Sequence, residues 1–319
     1  MTTYKEIFGK YVKNYSSDPS SDIEGQVWYN STTGVFKTNV NIGAAWSSGG
    51  NLTTARYGLA GAGTQTVGLA FGGFTTTASA ATEEYDGAAW TGGGNMGTAR
   101  RYLGGCGLQT AGLAFGGGET VTTATEEYDG SAWTGGGNLG TARKGMGSAG
   151  TQTAGLSIGG FTTVVVNNTE EYDGSAWTAG GNLGTARYLL AGCGTQTAAL
   201  AFSGYTTTNV TNTEEYDGSA WTGGGNIGTA RRTLAGAGTQ TAGLAFGGFI
   251  TAVTAATEEY NGTSWATGGS LAIARNFLAG AGTQTAGLAF GGYLGGTSLQ
   301  TATEEYTDPS FLTKTITTS

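Results

Sequence analysis

Hydrophobic and polar positions in this chain alternate over short runs, and no helix-length periodic stretch appears in its repeated part. In "GLAFGG" (68–73) large and small side chains alternate at Leu69 and Phe71, and the run stops at a glycine pair. "TEEY" (82–85) follows and ends at "DG", a tight-turn signal, after which "AAW" resumes as a strand. Upstream, "YGLAGAG" is a strand of small residues, joined to "GLAFGG" by a short "TQT" turn. The pattern predicts four short strands linked by glycine-rich turns.

That pattern recurs. Tyr closes "TEEY" at Tyr85, Tyr128, Tyr172, Tyr216, Tyr260 and Tyr306. Trp recurs at Trp46, Trp90, Trp133, Trp177, Trp221 and Trp265. Ten residues after each Trp stands an arginine: Arg56, Arg100, Arg143, Arg187, Arg231 and Arg275. A period of 43–46 residues held this often means a repeat architecture. Four short strands per period correspond to one blade of a β-propeller. Trp46 has no "TEEY" before it, and the last "TEEY" has no Trp after it. Residues 44–49 are therefore expected to supply the fourth strand of the last blade, leaving no open edge at the seam. The expected fold is all-β: a six-bladed propeller over 44–319, four antiparallel strands per blade, closed by an N-terminal strand. Residues 1–43 form a separate arm and hairpin.

The order arginine, small strand, glycine pair, "TEEY" with Asp after it, and Trp resembles the kelch repeat over roughly residues 44–307. The "GGGNLGTAR" link is this chain's own variant. The resemblance implies a kelch-like propeller and structural roles for the six arginines and six tryptophans. A WD40 assignment fails, since the chain has no His and no Trp-Asp pair.

The repeats differ in one place above all. From each Tyr to the next glycine-pair position the spacing is 32 residues throughout, whereas from that position to the next Tyr it is 11, 12 or 14. The segments involved are "FTTTASAA", "GETVTTA", "FTTVVVNN", "YTTTNVTN", "FITAVTAA" and "YLGGTSLQTA". In a propeller these loops share a face with the links between blades, and the "TQT" and "DG" turns share the other. Varied loops on a rigid scaffold are how binding surfaces are built, although drift of exposed loops gives the same pattern. Five loops begin with an aromatic: Phe74, Phe161, Tyr205, Phe249 and Tyr293, with Gly118 the exception. These are the candidate ligand-binding residues. Regular aromatics in a repeat also fit packing between blades, the reading a core position favours.

Charge narrows the chemistry. The 319 residues carry a net charge of −8, so no nucleic-acid partner is expected. No stretch approaches the roughly 20 apolar residues of a membrane span, and the first 21 residues lack the apolar core of a secretion signal. Seven Trp, fifteen Tyr and twelve Phe with only 11% charged residues argue against disorder, and 62 Gly with 2 Pro exclude collagen. Without His, a Ser-His-Asp site, the usual zinc sites and the copper chemistry of some kelch enzymes lose their key ligand. Twelve of the fifteen Glu sit in "TEEY" pairs. Neighbours on a strand point to opposite sides, so Glu83 and Glu84 do not face one substrate as a glycosidase pair must. They are expected to meet arginines or backbone donors between blades, and the arginines to fork onto carboxylates or carbonyls at the blade junctions; an arginine ring holding an anion is the other reading. "YDGSAW" resembles the Asp-box of sialidases, but its glycine departs from that spacing. Cys106 and Cys193, two blades apart, read as small buried hydrophobes. No cofactor, metal or catalytic residue is expected.

Ahead of the repeats, "GQVWYN" and "GVFKTN" are alternating strands around "STTG", a hairpin pattern. This segment resembles short modules near the N-termini of tailed-phage virion and tail-fibre proteins, with the shape "GxxWYNxxTGxxK…W". The resemblance implies a structural protein of a phage particle, made in the host cytoplasm, with residues 1–21 docking it on other virion subunits. Function is then expected to be non-enzymatic: binding of a host surface glycan or a neighbouring virion protein. A purely structural decoration or fibre-building subunit is the alternative, a glycan-active enzyme a more distant one, and a homo-oligomer stays open.

Overall fold

The computed structural model describes residues 12–18, 26–40, 43–296, 298–308 and 312–316. The chain divides into two compact units: Ala45–Thr307, and Met1–Ala44 with Asp308–Ser319. The described residues are all-β, in seven four-stranded sheets. Six of these, in the larger unit, are propeller-like repeats of one antiparallel pattern.

Repeat one shows the pattern: Ala60–Gly63, Gly68–Phe71, Thr82–Tyr85 and Trp90–Gly92. Register sets Leu69 opposite Glu84, Phe71 opposite Thr82 and Tyr85 opposite Trp90. Repeats two to five follow the same order. In repeat six, Ala279–Gly282, Ala286–Phe290 and Thr303–Thr307 are joined by Ala45–Ser48, with Trp46 opposite Tyr306.

Packing explains the composition of the strands. The first strands must be small because they crowd one another: a Cβ on Gly61 would lie 2.8 Å from the Gly280 carbonyl and 2.5 Å from the Phe290 ring. In repeat one the second strand is buried throughout, and in the third only the second Glu is partly exposed. Each Trp lies between the Tyr of its own sheet and a large apolar residue of the preceding one. Trp90 is 4.9 Å from both Tyr85 and Phe290, ring centre to ring centre. Such buried rings supply most of the apolar area that holds neighbouring sheets together.

One loop expected between strands is itself strand. In repeat three, Gly155–Phe161 and Val165–Tyr172 extend the ladder through "FTTVVVNN", with a bulge between Ile158 and Gly160. Three consecutive valines favour this pleated conformation.

The smaller unit holds the hairpin read from the sequence, Val27–Asn30 against Val35–Val40, with Lys13–Tyr15 parallel to its first strand. The expected boundary is corrected at the other end of the chain. The sequence places 308–319 with the propeller, but within that segment the described Leu312–Thr315 pairs with Val35–Val40 in this unit and covers its free edge. Asp18 organises the motif residues: it accepts from Trp28 Nε1 at 3.2 Å, Asn30 Nδ2 at 2.8 Å and Lys37 Nζ at 2.7 Å. These bonds, Lys37 first, hold the Asp18 carboxyl below the usual aspartate range. Of the proposed docking arm, 1–11 and 19–21 lie outside the described residues.

Candidate binding face

The six arginines are buried, at most 1% exposed. Arg56 donates to the Ala81 carbonyl at 2.7 Å, the Gly72 carbonyl at 3.2 Å and Glu83 at 3.1 Å. Arg100, Arg143, Arg187, Arg231 and Arg275 each meet the first Glu of the pair in their own repeat, so these contacts tie strands within one sheet rather than bridging neighbouring ones as expected. Burial lowers all six guanidinium pKa values, Arg275 to about 10, and the paired Glu opposes the shift. With their charges taken up inside the sheets, these side chains do not form an anion ring on the surface.

The second Glu of each pair looks the other way and accepts a tyrosine hydroxyl from the next repeat. Tyr128 donates to Glu84 at 2.5 Å, Tyr172 to Glu127 at 2.5 Å and Tyr85 to Glu305 at 2.6 Å. Tyr216, Tyr260 and Tyr306 do the same with Glu171, Glu215 and Glu259. Burial first, then the Glu partner, raises Tyr85, Tyr128, Tyr172, Tyr216 and Tyr260 to about 12. Each Trp Nε1 donates to a "TEEY" threonine of the preceding repeat, as Trp90 does to Thr303 and Trp46 to Thr257. The sequence marks the "TQT" glutamines, including Gln109 of "LQT", only as turn residues. They too reach across: Gln109 donates to the Gly68 and Tyr85 carbonyls at 3.0 and 2.7 Å. Cys106 and Cys193 are free and buried, which pushes both thiols up to about 12.

The two ends of the repeat unit differ. At one, the "DG" and "TQT" turns meet, with Gly87 beside Thr66. Its Asp side chains are spent locally: Asp86 Oδ1 accepts from the Ala88 and Ala89 backbones at 2.8 and 2.7 Å. At the other end lie the variable loops and the links that follow the arginines.

On that end the five loop aromatics are half-buried and pair with the residue that follows each arginine. Phe74 bridges Tyr57, Phe161 bridges Lys144, Tyr205 bridges Tyr188, Phe249 bridges Arg232 and Tyr293 bridges Asn276. Their rings form two arcs. In one, Tyr57 lies 5.4 Å from both Phe74 and Tyr293, and Arg101 sits 4.3 Å over Phe74. In the other, Phe161, Tyr188 and Tyr205 follow at 5.4 and 5.7 Å, and Arg232 lies 4.7 Å over Tyr205 and 4.9 Å over Phe249.

Sequence reading missed the residues nearest the centre of this end. After the invariant arginine stand "YG", "RY", "KG", "YL", "RT" and "NF", a dipeptide that varies in every repeat. The second member is always in the left-handed region: Gly58, Tyr102, Gly145, Leu189, Thr233 and Phe277, with φ of 50–62°. The backbone N–H of each donates to the carbonyl of its counterpart one repeat before. Tyr102 bonds to Gly58 at 2.7 Å, Thr233 to Leu189 at 2.9 Å, Phe277 to Thr233 at 2.8 Å and Gly58 to Phe277 at 2.8 Å. Gly145 and Leu189 complete the series. A cavity of about 140 Å³ lies between the six first strands beneath this collar. A second, of about 160 Å³, is lined by Tyr102, Lys144, Gly145, Phe161, Tyr188, Leu189 and Phe277.

The chain matches no known protein-family model, and no curated protein is significantly similar to it. Among the described residues no cluster of His, Cys, Asp or Glu is arranged to hold a metal ion.

Proposed function

We propose that this chain is a six-bladed, closed, kelch-like propeller displayed on a phage particle, binding a host surface glycan or a neighbouring virion protein without catalysing a reaction. The backbone series from Gly58 round to Phe277 and back supports closure, together with Ala45–Ser48 completing the sixth sheet. The phage assignment rests on the N-terminal motif, whose Trp28, Asn30 and Lys37 share one partner in Asp18.

The observation that carries the binding reading is the contrast between the two ends. One end is nearly uniform: "TQT" recurs five times with one "LQT", and "DG" four times with one "NG". The other gathers the variable loops, the variable dipeptides and the exposed parts of ten or so aromatic and cationic side chains. Engagement of the Glu pairs by arginine and tyrosine supports a non-enzymatic role, since neither carboxylate is left to act on a substrate.

A glycan array probed with the full chain and with loops 161–168 and 205–212 exchanged for 74–81 tests the reading. Binding that depends on those loops is expected. Binding that ignores them overturns the variable face as its location, and tail or capsid genes beside this one are the expected genomic setting.

A further inference from the structure

We infer that the aromatic cavity beside the collar is the primary subsite of this face and that it takes one acidic sugar residue of an anionic saccharide. The inference rests on the glycan reading above and names the chemistry of that ligand.

Charge placement makes the first argument. Nine of the fourteen Lys and Arg side chains lie within 45–307. Six of them are the buried arginines paired with Glu. The remaining three, Arg101, Lys144 and Arg232, all occupy the position directly after an invariant arginine, around the collar. The aspartates Asp86, Asp129, Asp173 and Asp217 all sit in the turns of the opposite end. Within 45–307, every cation outside the six buried pairs thus stands on the end that varies. Arg101 is neutralised by Glu119 at 2.7 Å. Lys144 and Arg232 pair with no carboxylate among the described residues; Lys144 Nζ donates only to the Glu119 carbonyl, at 2.9 Å. An ammonium held by a neutral acceptor keeps its charge for an anion.

Shape makes the second. Lys144 lines the 160 Å³ cavity with Phe161, Tyr188, Tyr102 and Phe277. That is below the about 300–1,000 Å³ of a typical small-molecule pocket, so a single ring enters and the rest of a chain stays outside. The lining is aromatic and apolar apart from Lys144, and aromatic faces suit the C–H face of a pyranose.

Strain makes the third. Tyr102, Leu189 and Phe277 hold φ of 56°, 53° and 50°, a region that disfavours side chains, although Gly58 and Gly145 show that glycine fits the same place. A fold that accepts glycine at this position but carries bulky side chains at three cavity-lining sites is using those side chains.

The test is an array of matched oligosaccharides, acidic and neutral (galacturonate against galactose, glucuronate against glucose, sialylated against unsialylated), probed with the full chain, Lys144→Gln and Phe277→Gly. The acidic member of a pair is expected to bind preferentially, with a signal that falls as salt is added. Lys144→Gln is expected to weaken it roughly tenfold or more. Phe277→Gly should lose binding while its melting temperature stays within about 5 °C of the parent, because strain relief offsets the lost ring contacts. Equal binding of acidic and neutral members, or an unaffected Lys144→Gln, overturns this subsite and leaves the glycan reading intact. Binding to no member of the array overturns both.

Discussion

The phenol of Tyr85 donates to the carboxylate of Glu305 at 2.6 Å, joining the first repeat to the sixth across 220 positions of sequence. The same bond joins Tyr128 to Glu84 across 44. Identical local chemistry therefore serves the place where the chain's two ends meet and the places where it runs on continuously.

The seam depends on Trp46, half-buried between Phe246 and Tyr306 at 4.9 and 5.0 Å. Trp46→Ala is expected to cost about 2–3 kcal/mol, somewhat below the about 3–5 kcal/mol of a fully buried aromatic. Urea unfolding measures it. A change under about 0.5 kcal/mol, the range of an ordinary surface substitution, would mean that Ala45–Ser48 does not hold the sixth sheet.

Arg187 and Glu214 are both buried and bonded to each other. Arg187→Met leaves the carboxylate without its cation, at a cost of about 3–5 kcal/mol. Adding Glu214→Leu to it should recover part of that loss. A double-mutant cycle with no coupling energy would contradict the pairing.

Alkaline pH should erode the tyrosine bonds. The hydroxyl of Tyr85 is raised to about 12 from an ordinary value near 10. Between those values the unfolded chain has released a proton that the folded chain keeps. The contribution is complete below pH 10 and declines as pH rises towards 12. The stability advantage of the parent over Tyr85→Phe should therefore narrow across that window. Comparing the two by denaturant unfolding cancels the opposing slope of the buried arginines.

Gln109→Ala removes two bonds to carbonyls of the preceding repeat and leaves both acceptors partly buried. A loss of about 1–3 kcal/mol is expected, against near zero for the adjacent Thr110→Ala. Calorimetric melting of the two variants decides it.

In the smaller unit, Asp18→Ala withdraws the shared partner of Trp28, Asn30 and Lys37. Iodide quenching should then reach Trp28, which is fully buried in the parent. Because Asp18 is held below its ordinary pKa of 3.8, its contribution is present above that pH and is lost as pH falls further. Acid should therefore reproduce the effect of the substitution.

Most of the repeat was legible because glycines punctuate it: "GG" and "DG" mark the ends of strands whose alternation is clear. That Glu83 and Glu84 face opposite ways followed from strand geometry alone, whereas the tyrosine partner of Glu84 did not. Three things were not legible. The left-handed φ of Tyr102, Leu189 and Phe277 leaves no mark in residue type, since glycine is the usual signal. The reach of Gln109 depends on how close the next sheet comes. The pairing of Leu312–Thr315 with the N-terminal hairpin joins segments from opposite ends of the chain, beyond any local pattern. The dipeptide after each arginine was a readable signal: aligned on that arginine, it differs in all six repeats.

Ala45–Ser48 must wait for Thr303–Thr307 before it has a partner. On the ribosome, that early strand stays unmatched until Thr303–Thr307 has emerged. Every earlier "TEEY" strand is a near-identical decoy for it. Folding to the right partner therefore depends on each decoy being claimed first by the tryptophan strand that follows it within a few residues. The four-residue turn between the two strands, 86–89 in the first repeat, makes that local claim fast, and so protects the last joining step from error.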